Sequence, residues 1–235
     1  MKKGKLLSLL LAAVVGAGSL AMTAQAAPAE LPAQTAKTAA FVKASDWVLK
    51  DDWAIFALGR NQEEGCEKLY EDYYQGVLAL LADPAKLIPS DYIRLSLSLT
   101  AIGIDPRNIE GNDLLEKIDQ ADREMYFQMS TSSLAYALAL MERYPDSFSG
   151  TLKEDTIQKI LGAQQADGSF DYTVGGGYPD PDSTAQAMQG LMLLGDTYAS
   201  EIQAAVDWLK AQMNEDGAIL NWGAANPSST AQVLI

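Results

Sequence analysis

The sequence predicts an all-α fold made of stacked helical hairpins, and three observations carry this prediction. Apolar residues recur at helical spacing along the 235-residue chain, whereas almost no segment alternates with a period of two. Every proline after residue 80 falls between the helical segments, where proline is tolerated. Polar helix starts recur at steps of 39, 41, 51 and 46 residues, a repeat length typical of helix pairs that stack into an open solenoid or a closed ring.

Ten helices follow from the apolar spacing, and they divide into two kinds. The segments from Ala54 to Leu58, from Leu134 to Leu140 and from Ala185 to Leu194 are small and apolar, as the inner helices of a ring should be. The segments 112–121 and 153–164 carry more charge and are expected to lie outside. The ten predicted helices span residues 33–49, 52–60, 67–82, 91–102, 112–121, 131–143, 153–164, 183–194, 200–213 and 229 onward.

The N-terminus has the three parts of a secretory signal peptide in the right order. Three lysines among the first five residues precede an apolar run over residues 6–20, and an A-x-A cleavage site ends at Ala26. The sequence therefore predicts a signal peptide over 1–26, a short linker over 27–34 and a repeat domain over 35–235. The protein is expected to be secreted or displayed on the cell surface of a bacterium after general export.

Charge and composition exclude several classes of function. The chain has 31 acidic and 17 basic residues and no histidine. Removal of the signal peptide changes the formal charge from −14 to −17, which disfavours binding to nucleic acid. Without histidine, Ser-His-Asp and Cys-His catalysis and most catalytic zinc sites cannot be built, and we predict neither a metal site nor a cofactor. No segment after the signal peptide is long and apolar enough to span a membrane.

Two copies of one unit are clearest in the second half of the chain. The Asp-Gly pairs at Gly168 and Gly217 lie 49 residues apart, and the Ser-Thr-Ala-Gln blocks that begin at Ser183 and Ser229 lie 46 apart. Each copy is predicted to form a helix, a tight Asp-Gly turn, a glycine-rich loop and a capped helix. Asp182 or Ser183 is expected to cap the last helix of the first copy, because short polar side chains bond to free N–H groups there.

These motifs resemble a known superfamily. The segment Gln164-x3-Gly168-x-Phe170 is similar to the Q-x3-G-x-W repeat of squalene cyclases, and the second copy, from Gln212 to Ile219, is a looser match. The chain most resembles secreted bacterial prenyltransferase/squalene-oxidase-repeat proteins, which belong to the α/α-toroid superfamily of terpenoid cyclases and prenyltransferases. This resemblance rests on the segments 90–94, 99–108 and 229–233 and covers roughly residues 35–235.

The resemblance implies an α/α toroid with an α6/α6 ring. A closed ring of that kind needs twelve helices, and the chain reaches Ile235 only about two turns into its tenth predicted helix. We therefore expect an incomplete ring, one hairpin short at its C-terminus. Relatives often carry a further domain related to the C-terminal half of vitamin B12 carriers, so additional C-terminal domains are expected as partners of this chain.

The segment from Asp180 to Ala185 resembles the D-x-D-D-T-A motif of class II terpene cyclases. In that comparison Asp182 takes the place of the proton donor and Asp180 takes the place of the first acid. Ser183 stands where the motif has its last aspartate. The alternative is a plain helix cap, because the Ser-Ser-Thr-Ala block from Ser228 repeats the pattern without any aspartate. Zinc-dependent protein prenyltransferases of the same superfamily are excluded, since their metal site requires histidine.

Ligand binding is the function that we favour from the sequence. In a ring of this type the inner helices direct free N–H groups and positive dipole ends toward one mouth. The ligand expected there is a small apolar or corrinoid-like molecule or a cell-surface glycan, and a structural spacer in a larger surface protein is the other alternative. Ordinary packing of the aromatic residues also remains open. The expected ligand-binding residues are Trp53, Tyr92, Tyr172, Tyr178, Asp182, Gln186 and Trp222.

Overall fold

The protein is described by a computed structural model over residues 31–234, and helices make up most of the regular structure of this part of the chain. The predicted signal peptide, residues 1–26, lies outside the described residues. The all-α prediction is confirmed. We label the helices α1 Leu31–Ala44, α2 Asp52–Arg60, α3 Glu67–Leu81, α4 Pro89–Ala101, α5 Leu114–Asp119, α6 Arg123–Phe127, α7 Thr131–Arg143, α8 Leu152–Leu161, α9 Pro181–Met192, α10 Ala199–Ala211 and α11 Pro227–Leu234.

All ten predicted helices are present, and some are shorter than expected. The helix predicted over 33–49 ends at Ala44, and a separate 3-10 turn follows it. The helix predicted over 112–121 is limited to Leu114–Asp119, because the Asp113 carboxylate accepts hydrogen bonds from two N–H groups of its first turn and fixes its start. Helix α6 and an antiparallel hairpin, β1 Leu220–Asn221 and β2 Ala224–Ala225, are not predicted by the sequence pattern.

Five of the described helices pack side by side and form a row. Helix α2 packs on α4, α4 on α7, α7 on α9 and α9 on α11. Helices α5, α8 and α10 pack on α4, α7 and α9 respectively, so these three members of the row are covered on a further side. Helix α7 is accordingly buried over most of its surface, as predicted for an inner helix. None of the helices between residues 31 and 234 combines the length and apolarity that a membrane span requires.

Small residues allow the helices of the row to approach closely. A side chain at Gly190 of α9 would lie 3.0 Å from the Ala135 methyl group of α7. A side chain at Gly59 of α2 would lie 2.8 Å from the backbone of Ala101 in α4. These contacts explain why the inner helices of the sequence are rich in alanine and glycine, because larger side chains would separate the helix axes.

The two copies of the repeat share the same hydrogen bonds, which confirms the predicted unit. The backbone N–H of Phe170 donates to Thr184 Oγ1 at 2.9 Å, and the N–H of Ile219 donates to Thr230 Oγ1 at the same distance. Both threonine hydroxyls donate to the carbonyl four residues earlier, at 2.8 Å. The turn of each copy is therefore tied to the first turn of the helix that follows it.

The cap of α9 differs from the prediction. The N-cap is Asp180, not Asp182 or Ser183, and its carboxylate accepts from the backbone N–H of Ser183 at 2.9 Å. Pro181 occupies the first helical position, which suits its fixed φ and its missing N–H and places the cap one residue before it. Asn226 caps α11 by accepting from the N–H groups of Ser228 and Ser229, so the starts of the two helices correspond position by position.

Candidate functional site

A cavity of about 460 Å³ opens beside the first turns of α7 and α9 and the β1–β2 hairpin. We call it the aromatic cavity. Five of the eight residues singled out from the sequence line it: Tyr172, Tyr178, Asp180, Asp182 and Trp222. Its volume lies within the range of about 300–1,000 Å³ that is usual for small-molecule sites. The remaining lining residues are Ser132, Thr173, Ser183 and Asn221.

Three aromatic side chains of the aromatic cavity are exposed to solvent. Tyr172 is 57% exposed, Tyr178 is 68% exposed and Trp222 is 85% exposed. Large aromatic side chains usually bury most of their surface, since that burial is a major source of folding free energy. Three such rings around one cavity therefore form an apolar surface that packing inside the described chain does not use.

Hydrogen bonds hold the loop that carries the two tyrosines. The N–H of Tyr172 donates to the carbonyl of Tyr178 at 3.1 Å, which closes the loop between them. The carbonyl of Tyr172 accepts from the N–H of Thr131 at 2.8 Å and ties the loop to the start of α7. Beneath the loop, the buried Asp171 carboxylate accepts from Gln165 Nε2 at 2.7 Å and from the N–H of Gly177 at 2.9 Å. Both rings are thereby placed at one rim.

Trp222 stands at the tip of the β1–β2 hairpin in an unfavourable backbone conformation. Asn221 pairs with Ala224, so the hairpin loop consists of Trp222 and Gly223 alone. Both have positive φ, 55° and 79°, as in a type I′ turn. A side chain larger than glycine in this region costs on the order of 1–2 kcal/mol, and the exposed indole regains nothing by burial. Strain of this kind is concentrated at functional sites.

The two carboxylates of the aromatic cavity have different surroundings. Both oxygens of Asp180 are occupied, since Oδ1 accepts from the N–H of Ser183 and Oδ2 accepts from its hydroxyl at 2.7 Å. Asp182 Oδ1 is buried, and no group between residues 31 and 234 donates a hydrogen bond to it. In the second copy Ser228 stands at the position of Asp182, so an acid is not needed there to start the helix.

Trp53 and Gln186 lie outside the aromatic cavity and meet at Tyr136 of α7. The rings of Trp53 and Tyr136 pack with centroids 4.6 Å apart, and Tyr136 shares a hydrogen bond with Gln186. Burial raises the pKa of Tyr136, and the nearby negative charge of Asp182 raises it further. The Trp53, Tyr136 and Gln186 side chains therefore link α2, α7 and α9 on a side of the row that is close to Asp182.

Tyr92 does not reach the aromatic cavity. Only 8% of its surface is exposed, and it packs in the hydrophobic core on α4. Burial raises the pKa of its hydroxyl, with a smaller contribution from the neighbouring Asp91. Ordinary packing at a helix end, the alternative that the sequence left open, accounts for this residue.

Sequence reasoning missed Ser132, Thr173, Asn221 and Tyr136. Ser132 belongs to the polar start of a helix that the sequence does predict, and Asn221 precedes the candidate Trp222, so position alone could have added both. Asn221 Nδ2 donates to Ser229 Oγ at 3.0 Å and fastens the hairpin to α11. Tyr136 lies within an apolar helix and carries no sequence signal that separates it from core residues.

The charge of the aromatic cavity restricts what it can bind. No lysine or arginine lines it, whereas two aspartates do. Phosphates and carboxylates therefore find no opposite charge there, and neutral or positively charged ligands are favoured. Among residues 31–234, no three His, Cys, Asp or Glu side chains come together as a metal-binding group.

Comparisons of the chain with protein-family profiles, with curated proteins and with solved structures found no match.

Proposed function

We propose that the protein is an exported binding module that takes a saccharide at the aromatic cavity. The observation that carries this proposal is the set of three exposed aromatic rings, held by a closed loop and a strained turn around one cavity. Sugars present apolar C–H faces and polar hydroxyl edges. The rings match those faces, and the Ser132, Thr173 and Asn221 side chains can exchange hydrogen bonds with the edges. A purely apolar ligand would leave these polar groups without partners.

The same proposal includes the fold and the location of the protein. We infer that the row of helices belongs to an α/α toroid, supported by the packing of covering helices on three members of the row and by the resemblance of its repeats. Export is supported by the N-terminal sequence pattern over residues 1–26. A spacer without a ligand would have no use for an exposed tryptophan on a strained turn.

The test compares the binding of neutral hexasaccharides of glucose and of N-acetylglucosamine to the protein and to Trp222→Asn. Asparagine adopts positive φ readily, so this variant keeps the hairpin and removes only the ring. An aromatic contact of about 1.4 kcal/mol corresponds to roughly tenfold in affinity. We expect calorimetry to show a loss of affinity of about that size in Trp222→Asn, with an unchanged or higher melting temperature.

The matched control is Phe41→Ala, which removes another exposed aromatic ring on α1, outside the cavity lining. We expect this variant to bind as the unaltered protein does. Equal affinity in Trp222→Asn and the unaltered protein would contradict the proposed site. If no hexasaccharide binds, whether it is neutral or carries amino groups, the proposed function is wrong and the spacer is favoured.

A class II cyclase-like reaction is the second candidate, and one observation favours it. Asp182 lines the aromatic cavity, and no group between residues 31 and 234 donates a hydrogen bond to its Oδ1, so this carboxyl group is not committed to capping a helix. The matching first acid, Asp180, is committed to capping α9. Incubation with squalene tests this candidate. A cyclised product that forms with the unaltered protein and not with Asp182→Asn would show that the protein is an enzyme and not a binding module.

A further inference from the structure

We propose that the ligand of the aromatic cavity carries a protonated amino group, so that the preferred saccharide is an amino sugar. This inference rests on the proposed function, since it specifies which saccharide the cavity accepts. Aromatic rings alone would hold a neutral sugar as well as a charged one. The preference comes from the two carboxylates in the lining and from the absence of a lysine or arginine there to neutralise them.

Asp182 is the group that would receive the amine. Asp180 has both oxygens engaged by Ser183. Asp182 lines the cavity and is only partly buried, and its buried Oδ1 has no hydrogen-bond donor in the described chain. A buried carboxylate oxygen without a partner is costly, because it has lost the water that solvated it. An ammonium group bound in the cavity supplies an N–H donor and the opposite charge to the exposed part of this carboxylate, which makes the hydrogen bond charge-assisted.

The surroundings of Asp182 favour an approaching cation. The rings of Tyr172, Tyr178 and Trp222 attract a cation to their faces. The chain as a whole has a formal charge of −14, which raises the local concentration of cationic ligands and lowers that of anionic ones.

The helix repeat indicates that this acid is not needed for folding. Ser228 occupies the corresponding position of the second copy, where α11 starts with the same cap and the same threonine hydrogen bonds. Asp182→Ser and Asp182→Asn are therefore expected to leave the start of α9 intact. The exposed Asp207 of α10 offers a matched control, since Asp207→Asn changes the net charge by the same amount away from the cavity.

The experiment measures the affinity for hexamers of glucosamine and of N-acetylglucosamine by calorimetry, at a pH where the free amine is protonated. We expect the glucosamine hexamer to bind about tenfold more tightly, and its affinity to fall as salt is added, because the ion pair is screened. In Asp182→Ser and Asp182→Asn the two hexamers should bind equally. In Asp207→Asn the preference should persist.

The outcomes separate this inference from the function on which it rests. If both hexamers bind equally to the unaltered protein, or if the Asp182 variants keep the preference, the amine assignment is wrong and saccharide binding stands. If the preference is lost in Asp207→Asn to the same extent as in the Asp182 variants, overall charge and not Asp182 is responsible. If neither hexamer binds, the proposed function itself fails.

Discussion

At the scale of single residues, two glycines in equivalent turns have different surroundings. Gly168 and Gly217 both adopt positive φ, 93° and 82°, in the Asp-Gly turns of the two copies. A side chain at Gly168 would lie 2.6 Å from the carbonyl carbon of Ala204 in α10, whereas one at Gly217 would meet nothing within 4 Å. Gly168 is therefore required by both backbone conformation and space, and Gly217 by conformation alone.

Replacing each glycine by alanine separates the two requirements. We expect Gly217→Ala to lower the free energy of unfolding by about 1–2 kcal/mol, the usual cost of a left-handed alanine. Gly168→Ala should lower it by a further 1–3 kcal/mol or so, because the new methyl group must displace the backbone of α10. Urea denaturation measures both values. Equal losses in the two variants would show that α10 does not press on the turn.

At the scale of elements, the side chain of Asp52 joins three helices. Asp52 Oδ1 in α2 accepts from the hydroxyl of Tyr73 in α3 at 2.8 Å, and Oδ2 pairs with Arg94 of α4 at 3.1 Å. The backbone carbonyl of Asp52 also accepts from Ser98 Oγ at 2.7 Å. Burial raises the pKa of Asp52 above its ordinary value near 3.8, although the Tyr73 hydrogen bond and the Arg94 charge oppose that change.

The raised pKa predicts how Asp52→Asn depends on pH. The folded state binds the Asp52 proton more tightly than the unfolded chain does. The unaltered protein therefore loses stability as the pH rises from the pKa of Asp52 in the unfolded chain to its higher pKa in the folded protein. Asparagine does not titrate and has no such loss. We therefore expect the free energy of unfolding of Asp52→Asn, relative to the unaltered protein, to rise with pH across that window and then level off.

Asp167 provides a control of opposite sign. The hydroxyl of Ser169 holds the pKa of Asp167 below its ordinary value, and the Trp208 indole N–H contributes less. Ionised Asp167 therefore stabilises the fold, and this stabilisation is lost as pH falls through the folded value. The relative stability of Asp167→Asn should decrease as pH rises through the window below 3.8. Urea denaturation over a series of pH values measures the free energy of unfolding of both variants. If the relative stabilities of Asp52→Asn and Asp167→Asn changed with pH in the same direction, the opposite pKa shifts of the two aspartates would be contradicted.

At the scale of the whole molecule, burial is greatest in the middle of the row of helices. Helix α7 buries seven side chains, namely Thr131, Leu134, Ala135, Ala137, Leu138, Leu140 and Met141. By contrast, Ser229 is the one buried side chain found in the described part of α11. Because each helix of the row depends mainly on its neighbours, stability is expected to grade from the middle toward the ends.

Hydrogen exchange measures this gradient directly. We expect the backbone amides of α4 and α7 to exchange slowest and those of α1 and α11 to exchange fastest, since opening an end helix disrupts fewer buried contacts. Peptides from α10, which packs on α9 and is itself partly exposed, should exchange at intermediate rates. Uniform protection of all helices would mean that the described chain opens as one cooperative unit.

The sequence predicts the helices well because their apolar spacing persists over several turns. It does not predict α6 or the β1–β2 hairpin, since five residues and two paired residues are too few for a period to be visible. The sequence pattern favours Asp182 or Ser183 as the cap of α9, whereas the cap in the structure is Asp180, because Pro181 occupies the first helical position.

The candidate site was predictable as a region but not residue by residue. The exposed Tyr172, Tyr178 and Trp222 and the buried Tyr92 look alike in sequence, because each lies near the start of a helix or in the loop before one. The exposure of each aromatic side chain depends on which helices pack against it, and that packing is set by contacts between residues far apart in the chain.

The length of the loops between turn and helix differs between the copies, while the hydrogen bonds that frame them do not. The bonded residues Phe170 and Thr184 are 14 apart, whereas Ile219 and Thr230 are 11 apart. A difference of three residues inside this frame leaves the helices in register, so the loop can vary in length. Randomising Thr173 and Tyr178, with Val174 and the glycines at 175–177 kept for packing and backbone conformation, offers a route to binders of other ligands on an unchanged scaffold.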